Sequence, residues 1–317
     1  MGKRVSDLGE FGLIALLTGE IKNNDPSLIR DFGDDTAFVR FGEKILLLTV
    51  DTLVEDVHFL RRYPPDAVGW KLVSVNVSDI AAKGGKPLWG LITLSLPPDL
   101  EVEYVRDLYR GINEALNRYG FSLVGGNTTK GEKICLDFPL VGEAKRVIFR
   151  DTPKVGDKIF VSGTLGDSRA GLELLLEERK DYKPHEWRLI ERHLRPVARL
   201  DLSPVVEKYA NASMDISDGF LADLGKMVKN FTAVVDLKRI PLSEELKRYC
   251  AERGKDPIEY ALRGGEDYEL LVASDIDLTP YGFTEVGRIT SEGKGEIYTA
   301  DGRRLDIEGF DHLRGSD

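Results

Sequence analysis

Aspartate falls at the points where this chain would turn inward: at the end of an apolar run, on the apolar stripe of a helix pattern, and at a strand-to-helix junction. Six strings carry the pattern. They are Asp31-Phe32-Gly33-Asp34-Asp35, Thr49-Val50-Asp51-Thr52 with His58 beyond it, Asn76-Val77-Ser78-Asp79, Gly125-Gly126-Asn127-Thr128, Met214-Asp215-Ile216-Ser217-Asp218-Gly219 and Gly264-Gly265-Glu266-Asp267-Tyr268. Carboxylates gathered by a fold repel one another and lose hydration, so a fold that collects them must find cations for them. Hard oxygen donors of this kind suit divalent ions, and Mg2+ carrying phosphates is the natural partner.

The rest of the chain frames these strings with alternating elements. Residues 8–17 read as a short helix and 25–35 as a polar loop. The run Lys44–Val50 is β-type and feeds directly into Asp51. Ala67–Lys83 has helical spacing, with Val68, Leu72 and Val75 on one stripe and Asp79 one turn further along it. Gly84-Gly85 ends that helix. A strand at Leu88–Leu96, an amphipathic helix at Val102–Tyr119, a short strand at Phe121–Val124 and another at Ile134–Val141 complete a mixed α/β first half. Turn formers cluster over 145–157, which predicts two domains, 1–148 and 149–317. In the second half, strands are expected at Lys158–Ser162, Ser213–Ile216 and Tyr268–Ala273. Helices are expected up to Arg179, over Asp218–Asn230 with Ser217 as cap, and over 243–253. The sequence has no tandem repeat.

Composition removes several classes of function. At 317 residues, 42% hydrophobic and with a net charge of −10, the chain can bury large cores but is a poor match for nucleic acid. No apolar run approaches the roughly 20 residues that span a bilayer, and the N-terminus has no apolar leader core. A cytoplasmic protein is expected. Two distant cysteines and four histidines show no metal spacing. Glutamine is absent while Glu, Lys and Arg abound, a bias that suits a thermophile.

Several of these strings also have a plainer reading. Asp34-Asp35 is a common turn pair. Asp79 on an apolar stripe would serve as a buried cap if no ion meets it. Ser217 and Asp218 would serve simply to cap a helix. Gly125-Gly126-Asn127-Thr128 is either a turn or a phosphate-approach loop. Gly163-x-x-Gly166 lacks the Walker lysine and reads as a structural turn. The residues alone reach a two-domain α/β protein with an acidic, metal-rich site for a phosphate ligand.

The ordered set of strings resembles the thiamine-monophosphate kinase family, of the superfamily that includes aminoimidazole ribonucleotide synthetase and selenophosphate synthetase. The resemblance runs from Gly9-Glu10-Phe11 to Gly309-Phe310-Asp311-His312. It rests on Gly33-Asp34-Asp35, Val57-His58-Phe59, Asn76-Val77-Ser78-Asp79, Asp215-Ile216-Ser217-Asp218-Gly219 and Gly264-Gly265-Glu266-Asp267-Tyr268. It implies transfer of the γ-phosphoryl of ATP to thiamine monophosphate, and a mixed α/β (α+β) fold. The N-terminal sheet domain would pair across a homodimer, with an α+β C-terminal domain and the site in the cleft between the two.

By the same resemblance, Mg2+ falls to Asp35, Thr49, Val50, Asp51, Asp79, Asp215 and Asp218, and a monovalent cation is a further candidate ion. ATP falls to Tyr109, Gly126, Asn127, Arg150 and Ser217, and the thiamine portion to His58, Glu266 and Phe310. Asp51, Asp215 and Arg150 are the expected catalytic set. Two positions depart from the family pattern. Asn127 stands where many relatives have Asp, and Val50 stands where a hydroxyl residue is frequent and offers only its backbone carbonyl to a metal. The rival readings are another ATP-dependent enzyme of the superfamily, of the aminoimidazole ribonucleotide synthetase kind, and a non-catalytic nucleotide- or metal-binding protein.

Overall fold

Two sheets are laid down one after the other, each covered by helices, in an α+β architecture. The computed structural model describes residues 4–307. The first sheet holds β1 (Leu28–Arg30), β2 (Ala37–Phe41), β3 (Lys44–Thr49), β4 (Thr52–Val54), β5 (Lys86–Leu96), β6 (Ser122–Lys130), β7 (Cys135–Asp137) and β8 (Leu140–Ala144). Its order is β1-β2-β3-β8-β5-β7-β4, and β6 runs parallel to β5 outside that path. The second sheet holds β9 (Lys158–Ser162), β10 (Ala212–Asp215), β11 (Phe231–Val235), β12 (Leu270–Ser274), β13 (Phe283–Glu292), β14 (Glu296–Thr299) and β15 (Arg304–Leu305). Its order is β10-β12-β9-β13-β11-β14-β15, and only the β11–β14 pair is parallel.

The element that positions the site is the helix α2 (Pro65–Ala82), which follows α1 (Val5–Gly19). Pro65 suits a first helical position, where no N–H is needed, and Asp66 complements the N-terminal dipole. The helix stops at Lys83, and Gly84 takes a positive φ of 65° that its missing Cβ permits. Every residue from Ala67 to Ala82 is buried, so a single apolar stripe undercounts its contacts. Ile80 meets the first sheet, α3 (Val102–Tyr119) lies along another side, and the second half covers the remainder. The α2–α3 approach is close because Gly69 and Gly111 are there. A Cβ on Gly69 would strike the Leu108 carbonyl, and one on Gly111 the Asp66 carbonyl.

Four apolar cores form among the described residues, and three of them bear on the site. One packs Leu47, Ile92 and Leu136 of the first sheet, with Phe138 just past β7, under α2 and α3. A second fills one side of the other sheet with Ile159, Met214, Leu224 and Ile289. A third joins the halves, packing Ala81, Ala82 and Ile148 against Phe160, Leu270 and Val272. Each fully buried Leu, Ile, Val or Phe is worth about 1.5–3 kcal/mol relative to exposure, so the third core resists separation of the halves.

Several elements differ from the sequence expectation. Gly125-Gly126-Asn127-Thr128 is neither turn nor loop but the middle of β6, paired residue by residue with Leu91–Leu94. Gly126 is required there because a Cβ would collide with the Ile92 carbonyl. The expected strand 134–141 is two strands, broken between Asp137 and Leu140, where Pro139 lacks the N–H a continuous ladder needs. The helix expected up to Arg179 is α4 (Asp167–Leu176). The helix expected over 218–230 is α7 (Phe220–Met227), after α5 (Pro184–Leu194) and α6 (Ser203–Tyr209). Ser217 does not cap it. Instead Asp223 accepts the backbone N–H groups of Ser217, Asp218 and Gly219 at 3.0, 3.0 and 3.2 Å. The helix expected at 243–253 is α8 (Glu244–Arg253), and α9 (Pro257–Arg263) follows it. Among the described residues no helix is long and apolar enough to cross a membrane.

Candidate active site

The apolar alternation of β3 delivers Thr49 to the end of the sheet, and the chain leaves it at Val50-Asp51. The Asp51 N–H donates to Asn76 Oδ1 at 2.8 Å, and the Asn76 amide returns to the Leu72 carbonyl of α2 at 2.9 Å. One turn further along α2, Asp79 accepts the Thr49 hydroxyl. From the second half, β10 ends at Asp215, whose Oδ2 accepts the Ser78 hydroxyl at 2.6 Å. That bond ties α2 to the second sheet at the acidic centre. The loop before β2 adds Asp34 and Asp35. Lys83 Nζ lies 2.6 Å from Asp34 Oδ1 and 2.9 Å from Asp35 Oδ2, and donates to the Ser213 carbonyl at 2.5 Å. Arg150 Nη1 stands 3.6 Å from Asp35 Oδ1.

These carboxylates act on one another. Burial first, then Asp35 and Asp218, push Asp51 up to about 6. Burial and the charges of Asp51, Asp215 and Asp35 raise Asp79 well above the usual carboxylate range. Asp215 is likewise raised well above it by burial and Asp35, against the pull of the Ser78 hydroxyl. Burial opposes ionisation of Asp34 too, but Lys83 outweighs it and holds that carboxyl below its ordinary value. The structure therefore brings Asp35, Asp51, Asp79 and Asp215 together, with Thr49 and Val50 beside them and Asp218 within electrostatic reach. Asp218 itself pairs with Lys226 at 2.5 Å, and Lys226 also meets the buried Asp223 at 2.7 Å.

The donor set fits Mg2+. Its atoms are hard oxygens, and three carboxylates, the buried Asp79 and Asp215 and the half-buried Asp51, form no ion pair with a cationic side chain among the described residues. Among those residues no three acidic, His or Cys side chains close into a finished metal cage. Mg2+ usually takes one or two carboxylates and completes its shell with water and phosphate oxygens.

A second cluster surrounds Glu266. Its backbone φ of 62° and that of Tyr268 at 52° are unusual for residues with side chains. Lys71, buried in the middle of α2, reaches Glu266 Oε1 at 2.8 Å. His193 of α5 places Nδ1 3.3 Å from Glu266 Oε2 and 3.0 Å from the Ser168 hydroxyl. Burial and the Lys71 charge keep His193 neutral, down to about 3. Against burial, the Lys71 charge above all holds Glu266 below its usual range, with His58 adding to it. His58 is thus within electrostatic reach of Glu266, and its Nδ1 accepts the Val54 N–H at 3.0 Å. Phe310 lies outside the described residues.

A third feature is a pocket of about 380 Å³ on the β5–β6 edge, lined by Tyr109, Gly125, Gly126, Asn127 and Thr128. Three of the expected nucleotide residues, Tyr109, Gly126 and Asn127, share it. Arg150 and Ser217 do not line it. Arg150 sits by Asp35, and Ser217 accepts the Glu266 N–H at 2.7 Å. A polar row links this pocket to the acidic centre. Asn127 faces Thr93, and Asp137 accepts hydroxyls from both Thr93 and Thr52, next to Asp51. The Gly163–Gly166 loop is a structural turn, its anion position taken by Asp267, which accepts the Gly166 N–H at 2.7 Å.

Sequence reasoning missed Lys71, Lys83, His193, Asp223 and Lys226 as members of these clusters. Lys83 and Asp223 do follow helical spacing from named residues, since Asp79 precedes Lys83 by four and Gly219 precedes Asp223 by four. Nothing local distinguishes them from surface charges.

Comparison with known proteins narrows the chemistry. Residues 33–144 match the family model of AIR synthase related protein, N-terminal domain. The thiamine-monophosphate kinase of Aquifex aeolicus (strain VF5) is 50% identical over 314 residues, spanning 98% of this chain and 100% of that one. That of Escherichia coli (strain K12) is 35% identical over 323 aligned positions, spanning 96% and 98%. A solved structure described as AaThiL complexed with AMPPCP and TMP superposes with a TM-score of 0.92 at 50% identity, over 98% of this chain and 99% of the other. Hydrogenase maturation protein HypE in complex with ATP shares the fold, with a TM-score of 0.68 at 17% identity over 92% and 91% of the two chains. By its near-complete alignment with such relatives, the chain belongs to the thiamine-monophosphate kinase family.

Proposed function

We propose that this protein transfers the γ-phosphoryl of ATP to thiamine monophosphate, giving thiamine diphosphate and ADP. The observation that carries the reading is the meeting of Asp35, Asp51, Asp79 and Asp215 between the two halves, in a chain half identical to an enzyme of that name. The acceptor oxygen of thiamine monophosphate is already anionic near neutral pH, so no strong base is required. The protein's work is to align donor and acceptor and to compensate their charge. Asp35, Thr49, the Val50 carbonyl, Asp51, Asp79, Asp215 and Asp218 would hold Mg2+, which supplies that compensation when bound. Arg150, beside Asp35, adds a fixed positive charge. Tyr109, Gly126 and Asn127 form the nucleotide pocket with Ser217 nearer the second cluster, while His58, Glu266 and Phe310 take the thiamine portion. The ion set is open to a monovalent cation.

The division at 148/149 makes the first domain the sheet that meets ATP and the second the one that closes on the acceptor. The outer face of the first sheet, turned away from α2, exposes Leu48, Trp89, Leu91 and Val124, and this apolar face supports a homodimer. The cytoplasm, which supplies ATP and Mg2+, is the expected compartment.

The test is thiamine diphosphate formation from ATP, Mg2+ and thiamine monophosphate, with and without chelator, in the wild type and in Asp51→Asn and Asp215→Asn. Product is expected only with Mg2+, and each variant should lose at least about tenfold in turnover, roughly 1.4 kcal/mol of barrier. Full turnover in a folded Asp215→Asn protein would remove the assignment. ADP release only with other acceptors would move the chain to another enzyme of the superfamily.

A further inference from the structure

The acidic centre is charge-balanced unevenly. Asp51, Asp79 and Asp215 have no cationic side chain bonded to them among the described residues, whereas Asp34 and Asp35 share one that is fully enclosed. Lys83 has 0% exposure. Its ammonium forms ion pairs with Asp34 Oδ1 at 2.6 Å and Asp35 Oδ2 at 2.9 Å and donates to the Ser213 carbonyl at 2.5 Å. Its position just past the last turn of α2 also suits a cation, because the helix dipole is negative there. The Asp34 side chain is equally enclosed and takes the Asp35 and Arg150 backbone N–H groups at 2.9 and 3.1 Å, while the half-buried Arg30 reaches its Oδ2 from the rim at 3.1 Å. This corner therefore has the coordination pattern of a small cation bound by carboxylate and carbonyl oxygens, with the ammonium at its centre.

We propose that Lys83 is a built-in cation of the acidic site, standing where a further divalent ion would otherwise be needed beside Asp34 and Asp35. The inference rests on the Mg2+ reading of the site. On this view the chain orders the Asp34-Asp35 loop, and locks it to Ser213 of the other half, without metal. Divalent ions are left to the Asp51–Asp79–Asp215 side, with Asp35 turned to them only through Oδ1, the oxygen that Lys83 does not take.

The test is the thermal midpoint of the full chain, without nucleotide, in chelator and in Mg2+. Mg2+ should raise the wild-type midpoint. In Lys83→Met the midpoint in chelator should be lower, and the rise on adding Mg2+ should exceed the wild-type rise by at least about 3 °C, since a ligand bound only by the folded state adds its binding free energy to stability. Equal rises in the two proteins overturn the proposal while leaving the Mg2+ reading intact. No rise in either protein overturns the Mg2+ reading itself, and this proposal with it. If Lys83→Met does not fold in chelator, Lys83→Met/Asp34→Asn decides. Removing one carboxylate together with the ammonium should restore folding in chelator. If it does not, Lys83 acts through packing and the proposal fails.

Discussion

Burial moves the titratable side chains of this cleft in opposite directions. Asp79 and Asp215 are raised because their charged form loses water, while His193 is lowered because its charged form does. The consequence for stability can be signed for His193. Folded, it stays neutral down to about 3, whereas unfolded it takes a proton near 6.5. Between those values the unfolded state binds the extra proton, so stability falls as pH drops below 6.5, by about 1.4 kcal/mol per pH unit. His193→Asn removes that slope. Denaturant unfolding at pH 6.5 and pH 5 should show the wild type losing about 2 kcal/mol more than the variant. Equal losses would mean that His193 titrates normally. At this scale Asp51, Asp79 and Asp215 were legible in the sequence, because each sits against an apolar run. Lys71, Lys83 and His193 were not, because a single basic residue in a helix pattern looks the same whether it faces water or a carboxylate.

At the scale of elements, α2 decides most of the site. It carries Lys71, Asn76, Ser78 and Asp79, with Lys83 at its end, and its placement depends on α3 lying close at Gly69 and Gly111. Gly69→Ala drives a methyl into the Leu108 carbonyl, and the two helices must part. Overpacking of this kind costs about 1–3 kcal/mol, and here the contact is backbone that cannot rotate away. A fall in thermal midpoint is expected, together with weaker Mg2+ stabilisation, because Asp79 moves with the helix. Calorimetry with and without Mg2+ checks both, and an unchanged midpoint would mean that the helices tolerate the methyl. The existence of α2 was readable from its spacing. Its burial on every side was not, since a period of 3.6 reports one apolar face and is blind to polar residues buried by bonding to each other. The glycine string in β6 misled for a related reason: glycine marks close approach, and whether that means a turn or a strand depends on the neighbour, here Ile92.

At the scale of the molecule, the halves are joined by an apolar core through Ala81, Ala82 and Phe160 and by the Ser78–Asp215 bond. The opposite face of the first sheet has Trp89 at 51% exposure beside Leu91, with the strand edge of β6 alongside. Trp89→Asp should therefore convert the proposed dimer to monomer, read by sedimentation velocity. A variant that sediments as the wild type does would place any dimer contact elsewhere.

Sequence alone carried the ingredients: the α+β alternation, the acidic strings and their hard-oxygen chemistry, each written in spacing that local geometry obeys. The cleft was a tertiary outcome. Ser78 and Asp215 are 137 positions apart, as are no two residues that a helical or strand period can relate. Which carboxylates face an internal lysine and which stay open to an ion is set by how α2 packs between two sheets, because electrostatic energy depends on distance and burial, and neither is written in the order of residues.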